Sequence, residues 1–261
     1  MIRRVAALGS WSAGCRTGAA GRSRTAALGA ATVLAFAAFA PAAAQADVGD
    51  PTPPSNTSSW LAKVVFPTQA RSGPSDSASV VQAVSSKTKW GGQTQLLVRD
   101  SERTAGVLWL DVRLMGRPNG NHGWIRADTA QLSETPYRIE IRRSTKTLRL
   151  IKAGRTKRTM KVVIGAAATP TPAGRFSLLD KLEVRDTGNF LGSWVLPITA
   201  YSDVLQTFDG GPGQIAIHGR GGASLAQPVG TAASHGCVRV ENKNIARVAA
   251  AAPTGTPVDI I

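Results

Sequence analysis

The sequence predicts a mostly β protein with two β-rich parts and few short helices. Three observations predict it. Residues 60–132 contain short β-prone runs separated by turn formers such as "SGPSDS" and "GRPNGNHG". Residues 137–164 predict a β-hairpin, with alternating apolar positions at Ile139/Ile141 and Leu148/Leu150, a turn at "KAGR" and a return through "MKVVIG". One short stretch, residues 243–251, has a helical pattern and is stopped by Pro253.

The first 46 residues predict an export signal. They carry five arginines and no acidic residue, then an apolar run over 26–40 and the small-residue sequence Ala44-Gln45-Ala46. This order is typical of a secretory signal peptide cleaved before Asp47. As a helix the apolar run would span roughly 22 Å, short of the ~30 Å bilayer core, although an uncleaved anchor stays the alternative. We therefore expect an exported protein of the cell wall or of the periplasmic side of the cytoplasmic membrane.

Cleavage would change the charge and the cysteine inventory. The whole chain has a formal net charge of +15. Residues 47–261 would keep +10, because five arginines and no acid leave with the signal. Cys15 leaves as well, so Cys237 becomes the only cysteine of the exported chain. Such a thiol cannot form an internal disulfide, and it is either intermolecular or reactive.

The next two segments predict a linker and a small barrel. Residues 47–59 are rich in Pro, Ser and Thr, as an extended linker would be. Residues 60–135 supply five short β-prone runs, which suggest a small β-barrel. Within them, "ARSGPS" at 70–75 and "RPNGNHGWIRADTAQL" at 117–132 resemble the bacterial SH3-like domain. His122 lies in the second motif, and we expect a solvated turn residue there rather than a ligand.

Residues 137–261 contain enough chain for one further β-rich core. The strand "GQIAIHG" delivers His218 at its end, and "TPVDII" closes the chain as a strand. Between them, a short helix over 243–251 is expected to follow Cys237, with Asn242 as its cap.

The stretch "SHGCVRVEN" at 234–242 places the thiol of Cys237 two residues from the imidazole of His235. A cysteine is a useful nucleophile as the thiolate, and a neighbouring imidazole can take its proton. His218 is a second candidate base, and the spacing alone does not choose between them. Gly236 lets a substrate carbonyl approach backbone N–H groups, which could form an oxyanion hole. A hydroxyl and a cation lie close by on Ser234 and Arg239.

Three other interpretations of this stretch fit less well. A zinc site made of His218, His235 and Cys237 has too few ligands for a structural site and lacks the usual spacing. An inert buried cysteine leaves the convergence of two of the three histidines on it unexplained. A papain-like hydrolase carries its histidine after the cysteine, whereas no histidine follows Cys237. No metal and no other cofactor is expected.

The order of these motifs resembles the catalytic signature of the L,D-transpeptidases of the YkuD type. The motifs are "TPTPAGRF" at 169–176, "IHG" at 217–219 and "SHGCVR" at 234–239, and the resemblance covers residues 137–261. It implies a β-rich catalytic domain with few short helices. It also implies that Cys237 is the acyl-accepting nucleophile and that His218 is the base and acid.

The resemblance assigns the remaining motif residues to supporting roles. Gly219 would orient His218 through its backbone carbonyl. His235 and Gly236 would shape the oxyanion hole and the surroundings of the thiol. Arg239 would support the site or the substrate carboxylate, and Ser234 would lie near the substrate.

The implied reaction has two steps on peptidoglycan stem peptides. The thiol attacks the carbonyl between the L-centre of a diamino acid and D-Ala, which releases D-Ala and leaves a thioester. The amine of a neighbouring stem, or of an attached protein, then resolves the thioester. Water as acceptor would make an L,D-carboxypeptidase, and a non-catalytic wall-binding protein is the second alternative.

The charge of the predicted hairpin is a separate clue. Residues 137–163 contain ten Lys or Arg against the single acid Glu140. This is either an ordinary solvated face or a surface that adheres to anionic wall polymers or lipid head groups. Nucleic acid is not expected as a partner, because export removes the opportunity and no recognition motif accompanies the charge.

Overall fold

Strands dominate this computed structural model, which describes residues 49–186 and 188–261. The described residues contain eighteen strands and one α-helix, so the prediction of a mostly β protein with few helices is confirmed. The predicted export signal lies outside the described residues. Among the described residues, no helix combines the length and apolarity needed to cross a membrane.

The N-terminal sheet consists of the first seven strands, in the spatial order β3-β2-β6-β5-β4-β1-β7. Its apolar side chains, among them Val98, Leu110 and Ile125, form a buried cluster of their own. The SH3-like assignment stays a prediction. The strands are β1 (Ser59–Val64), β2 (Thr68–Arg71), β3 (Val80–Val84), β4 (Gln95–Thr104), β5 (Val107–Arg113), β6 (His122–Arg126) and β7 (Ala130–Thr135).

The sequence pattern predicted five strands here and missed β2 and β7. β7, "AQLSET", has no apolar run and is held by backbone pairing along the whole of β1. His122 begins β6, so its placement in a turn was wrong. Its Nδ1 lies 2.9 Å from Oδ1 of Asp111 on β5, while 48% of its side chain is exposed.

The segment before β1 has no regular secondary structure but contacts the sheet. Pro51 is buried, and its carbonyl oxygen accepts a hydrogen bond of 2.6 Å from the Ser101 hydroxyl on β4. Asp50 forms an ion pair with Arg103 on the same strand. Residues 50 and 51 are therefore fixed against β4.

The C-terminal domain is built from a five-stranded sheet (β10-β9-β8-β18-β12), a four-stranded sheet (β13-β14-β15-β17) and the pair β11-β16. Apolar side chains from these sheets and from the helix form one buried cluster. The elements are β8 (Tyr137–Arg142), β9 (Thr147–Lys152), β10 (Arg155–Lys161), β11 (Ile164–Gly165), β12 (Gly174–Ser177), β13 (Leu182–Glu183), β14 (Trp194–Tyr201), β15 (Gln214–His218), β16 (Ala232–Ser234), β17 (Val238–Arg239), α1 (Asn242–Ala251) and β18 (Pro257–Ile260).

The predicted turn at 152–155 joins β9 and β10, whereas the predicted first arm of the hairpin forms two strands, β8 and β9, instead of one. Ala153 and Gly154 join the two strands with φ values of 48° and 75°. Two consecutive residues with positive φ give the turn a twist that matches the twist of the flanking strands. The predicted closing strand is also present, as β18, which lies between β8 and β12.

The helix α1 lies where the sequence places it, but its cap is different. Glu241 occupies the N-cap position, and Asn242 is the first helical residue. The Asn242 side chain bonds a neighbouring segment instead: Oδ1 accepts from the backbone N–H of Arg220 (3.0 Å) and of Ser193 (3.1 Å). Nδ2 donates to the Arg220 carbonyl at 2.8 Å. The Asn242 side chain, which the sequence predicts as the helix cap, therefore forms tertiary hydrogen bonds instead.

Candidate active site

The pairing of two short strands brings the separated motifs together. β15 and β17 are parallel neighbours, with Ile217 opposite Val238 and His218 opposite Arg239. This register places the "IHG" motif beside the end of "SHGCVR". Cys237, His218, His235 and Arg239 all line one pocket of about 60 Å³.

His218 is held as a neutral imidazole. Its side chain is 1% exposed, and Nδ1 lies 2.8 Å from the carbonyl oxygen of Gly219. A carbonyl only accepts, so Nδ1 carries the proton and Nε2 of the neutral ring has a free lone pair. Burial, followed by the Arg239 charge, lowers the pKa of His218 to about 4, although hydrogen bonds with the backbone of Gly219 and Leu191 act in the opposite direction.

The thiol of Cys237 is half-buried immediately before β17. Burial raises its pKa, although the Ala216 N–H, 3.4 Å from Sγ, and the Arg239 charge favour the thiolate. Both shifts favour the uncharged forms of Cys237 and His218. The resting site therefore contains a neutral thiol and a neutral imidazole.

The loop before the thiol depends on a glycine and a buried hydroxyl. Gly236 has a φ of 118°, and a Cβ at this position would lie 2.9 Å from Cδ1 of Ile215. Its N–H donates to the Ser234 hydroxyl oxygen at 3.1 Å, and that hydroxyl donates to the Cys237 carbonyl at 2.6 Å. Ser234 is therefore buried within this loop, and the Gly236 N–H already donates to its hydroxyl.

Two threonines of the "TPTPAGRF" motif form hydrogen bonds with this loop. The Thr171 hydroxyl donates to the Gly236 carbonyl at 2.8 Å and accepts from the Gly165 N–H at 2.9 Å. The Thr169 hydroxyl donates to the Ser234 carbonyl at 3.2 Å. The sequence identified the motif, but it gave no role to either threonine, because no local pattern shows what a hydroxyl bonds 65 residues away.

Arg239 presents a buried cation to the pocket. The residue is 3% exposed, and its guanidinium carbon lies 4.7 Å from the centre of the Phe190 ring. Its Nε and Nη1 have no hydrogen-bond partner among the residues that the structure describes. A buried cation with unused donors can bind a carboxylate that enters the pocket.

The two remaining motif residues differ in exposure. Gly219 is buried and lies against Asn242: a Cβ on it would meet the Asn242 Oδ1 at 2.2 Å, so the close approach requires glycine. His235 is exposed, and its ring stacks on Phe208 with the centroids 4.9 Å apart. Sequence reasoning missed the pocket walls, since their residues carry no motif: Phe190, Leu191, Ser202, Leu205, Phe208, Gly213, Gln214 and Ile215.

Arg220 is a further residue that the sequence did not single out. It is 7% exposed, pairs with Glu241, and donates through Nη2 to the carbonyls of Leu225 (3.0 Å) and Gln227 (2.7 Å). These bonds fix the chain that follows β15 against the start of α1. Across residues 49–186 and 188–261, no group of three or more His, Cys, Asp or Glu could hold a metal.

A β-rich domain that places a thiol and a neutral imidazole in one pocket has the general form of an acyl-transfer enzyme. Residues 136–260 match the YkuD family model, which describes the L,D-transpeptidase catalytic domain. Over these residues the chain is therefore similar to an L,D-transpeptidase catalytic domain, and the comparisons support an acyltransferase.

Two curated relatives and one solved structure are among the proteins to which this chain is similar. The chain is 29% identical over 125 residues to the YkuD proteins of Bacillus licheniformis and Bacillus subtilis, both provisionally named L,D-transpeptidases. The match covers 48% of this chain and 66% of each relative. An L,D-transpeptidase from Mycobacterium tuberculosis H37Rv superposes with a TM-score of 0.41 at 16% identity, over 67% of this chain and 74% of that one.

Proposed function

We propose that the protein is an exported peptidoglycan L,D-transpeptidase whose nucleophile is Cys237. The observation that carries the proposal is the fixed tautomer of His218: its Nδ1–H donates to the Gly219 carbonyl, its Nε2 carries the lone pair, and the imidazole lines the same pocket as Cys237. A general base must present such a lone pair to the proton that it abstracts.

The first step forms a thioester. Sγ of Cys237 attacks the carbonyl between the L-centre of the diamino acid and D-Ala, and His218 takes the thiol proton as the S–C bond forms. The C–N bond then breaks, and His218 returns the proton to the departing amine of D-Ala. Since both groups rest uncharged, no ion pair has to be stabilised before the substrate arrives.

The second step transfers the acyl group. An amine attacks the thioester carbonyl, a new C–N bond forms, and the S–C bond breaks to give back the thiol. We assign the acceptor to the amine of a neighbouring stem peptide, which gives a 3-3 crosslink, or to the amine of a protein to be attached. Hydrolysis by water would give an L,D-carboxypeptidase.

Arg239 is proposed to bind the carboxylate of the substrate. The terminal carboxylate of D-Ala is separated from the scissile carbonyl only by the alanine itself, so both groups fit within one small pocket. The buried guanidinium lines the pocket and has two nitrogens without partners among the described residues, and a carboxylate would pair with its charge. His235 and Gly236 are proposed to shape the surroundings of the attacked carbonyl.

The basic hairpin is proposed to bind anionic wall polymers. Glu140 pairs with Arg142 and Arg149, whereas Lys157 and Arg158 lie exposed on β10, at the edge of the five-stranded sheet. A groove of about 470 Å³ runs beside them, lined by Tyr137, Leu150, Lys152, Lys157, Arg158, Arg247, Ala250 and Ala251. Among the described residues that line this groove, none is acidic. Repeated phosphate groups would satisfy its cations.

Export and wall localisation complete the proposal. Residues 1–46 supply the signal, and residues 60–135 supply a module of the SH3-like type beside the enzyme. The linker at 47–59 would leave Asp47 as the first residue of the exported chain.

Purified protein beginning at Asp47 tests the central proposal when it is incubated with tetrapeptide stem fragments. Mass spectrometry should show free D-Ala together with crosslinked dimers, and the Cys237→Ala variant should give neither. Tripeptide without dimers would assign the carboxypeptidase reaction. A folded wild-type protein that binds sacculi and releases no D-Ala would contradict the proposal and assign wall binding alone.

A carbapenem gives a second measurement on the same protein, because it acylates the nucleophile of such enzymes. Intact mass should show one adduct on the wild-type protein and none on Cys237→Ala. An adduct that persists on the variant would place the nucleophile elsewhere.

A further inference from the structure

One wall of the active-site pocket is a segment with hardly any core contact. It runs from Tyr201 to Gln214. Between residues 203 and 212 every side chain is exposed or half-buried. Burial of apolar side chains therefore does not fix this stretch, and polar contacts must hold it. The pocket residues that it supplies are Ser202, Leu205, Phe208, Gly213 and Gln214.

The segment closes on itself through its two ends. The Ser202 N–H donates to the Gly213 carbonyl at 2.8 Å, and the Ser202 hydroxyl oxygen accepts from the Leu205 N–H at 3.0 Å. Gly213 has a φ of 66°, and a Cβ on it would lie 2.1 Å from the Leu205 carbonyl oxygen. Together with the pairing of Tyr201 and Gln214 at the ends of β14 and β15, these contacts give the segment its shape.

The N-terminal sheet supplies the first anchor of the wall. Asn119 lies in the loop between β5 and β6, and its side chain bonds the backbone of Tyr201 in both directions. Oδ1 accepts from the Tyr201 N–H at 2.8 Å, and Nδ2 donates to the Tyr201 carbonyl at 2.7 Å. Nδ2 also lies 2.8 Å from Oδ1 of Asp203. One amide side chain thus holds the beginning of the segment.

Arg117, in the same loop, holds the middle and the end of the wall. Its Nη2 donates to the carbonyls of Leu205 (2.8 Å) and Pro212 (3.2 Å), and Nε donates to Oε1 of Gln206 at 3.1 Å. Its guanidinium carbon lies 4.9 Å from the centre of the Tyr201 ring. A single planar cation therefore joins the two sides of the segment.

A third contact reaches the pocket lining directly. Nζ of Lys89, from the N-terminal sheet, donates to Oε1 of Gln214 at 2.8 Å. Phe208 at the tip of the same segment stacks on His235, which is two residues from the thiol. The position of the wall is thus linked to the N-terminal sheet on one side and to the "SHGC" loop on the other.

We propose that Asn119 and Arg117 are positioning residues for the reaction at Cys237, so that the N-terminal sheet forms part of the enzyme. The β5–β6 loop holds the 201–214 wall in place, and the wall sets the width of the pocket in which a stem peptide binds. This inference rests on the proposed function, because it takes Cys237 as the reacting group.

Hydrogen exchange tests the anchoring without any reference to activity. The Asn119→Ala variant removes both bonds to the Tyr201 backbone, and exchange in peptides covering 201–214 should become several-fold faster. Asn121→Ala is the matched control, since Asn121 lies in the same loop and its side chain contacts Gln82 of the N-terminal sheet. Unchanged exchange in Asn119→Ala would overturn the anchoring.

Kinetics on the same full-length exported chain test the consequence for the reaction. In Asn119→Ala the carbapenem concentration that gives half-maximal acylation should rise about tenfold, because a loosened wall captures the ligand poorly. Alkylation of Cys237 by iodoacetamide, which does not need the wall, should proceed at the wild-type rate. Wild-type acylation by the variant would overturn the inference, and so would lost acylation together with strongly accelerated alkylation, because an unfolded chain exposes its thiol.

Arg117 supplies a second and independent variant. Arg117→Ala should raise the half-saturating concentration as Asn119→Ala does, and Arg117→Lys should recover part of it, since an ammonium can donate to one of the two carbonyls. Arg126→Ala is the control, because Arg126 pairs with Asp76 and Asp128 of the N-terminal sheet. If the wild-type protein itself is never acylated, the proposed function fails, while the exchange experiment still decides the anchoring.

Discussion

Nδ1 of His218 lies 2.8 Å from the carbonyl oxygen of Gly219, and this one bond determines which nitrogen of the neutral ring carries the proton. The neighbouring residue in the chain fixes the tautomer, so the fixed orientation needs no acidic partner. The other histidine of the motif, His235, is exposed and stacks on Phe208. The two imidazoles are therefore expected to contribute differently.

The first prediction separates these two histidines. His218→Ala should lower the rate of D-Ala release by about 10²–10⁴-fold, which is the usual contribution of a general base. His235→Ala should lower the rate of D-Ala release much less, because it removes a ring from the exposed rim of the pocket. Steady-state rates on soluble tetrapeptide measure both, with circular dichroism as the control for folding. Near-wild-type turnover by His218→Ala would reverse the assignment.

The second prediction concerns stability against pH. The pKa of His218 is about 4 in the folded protein against 6.5 for the free group, so the unfolded chain binds a proton more readily between these values. Its contribution to stability is complete above pH 6.5 and is lost as the pH falls through 4. At about 1.4 kcal/mol per pKa unit, the loss between pH 7 and pH 4 should be about 3 kcal/mol.

Urea unfolding of wild type and of His218→Gln at pH 7, 5 and 4 measures this contribution. The glutamine side chain does not titrate, so the stability of the variant should fall less steeply toward pH 4. Parallel curves for the two proteins would show that the His218 proton is not linked to folding.

The third prediction concerns the support beneath the nucleophile loop. Thr171→Val keeps the shape of the side chain and removes the bonds to Gly236 and Gly165, so the free energy of unfolding should fall by about 1–3 kcal/mol. Acylation of Cys237 by a carbapenem should slow as well, because the loop that carries the thiol loses its fixed position. Thr145→Val, at an exposed site on the β8–β9 turn, is the control. Equal acylation by both variants would contradict the role of Thr171.

The fourth prediction concerns the basic groove. Changing Lys157 and Arg158 to Gln should weaken binding to isolated walls at 0.1 M salt, where the Debye length is about 10 Å, and leave little difference at 1 M, where it is about 3 Å. The Arg142→Gln, Arg149→Gln double variant is the control, because both of these side chains pair with Glu140. Both double variants remove two positive charges.

Turnover on small soluble stems should stay at the wild-type level in both double variants. If the variant with Lys157 and Arg158 changed to Gln binds walls as well as the wild-type protein at low salt, the groove is an ordinary solvated surface that does not bind wall polymers.

Local patterns in the sequence were sufficient to predict several elements. The hairpin of β9 and β10, the helix α1 and the closing strand β18 lie where they were predicted, because alternation, turn formers and a helix stop are properties of neighbouring residues. The motif residues Cys237, His218, His235 and Arg239 were named from the sequence, and the structure brings them to one pocket. Their catalytic roles stay predictions.

Only the tertiary structure decided what surrounds them. The sequence predicts Asn242 as a helix cap, but its side chain bonds the backbone of Arg220 and Ser193. The resemblance places Ser234 near the substrate, but its hydroxyl bonds the Cys237 carbonyl within the loop that carries the thiol. Asn119 and Tyr201 are bonded to each other across 82 residues. Side-chain hydrogen bonds of this kind depend on which segments the fold places side by side, and no spacing in the sequence records that. The sequence by itself determined the reactive groups and the strands that carry them, whereas packing decided the walls, the supports and the charge states of the site.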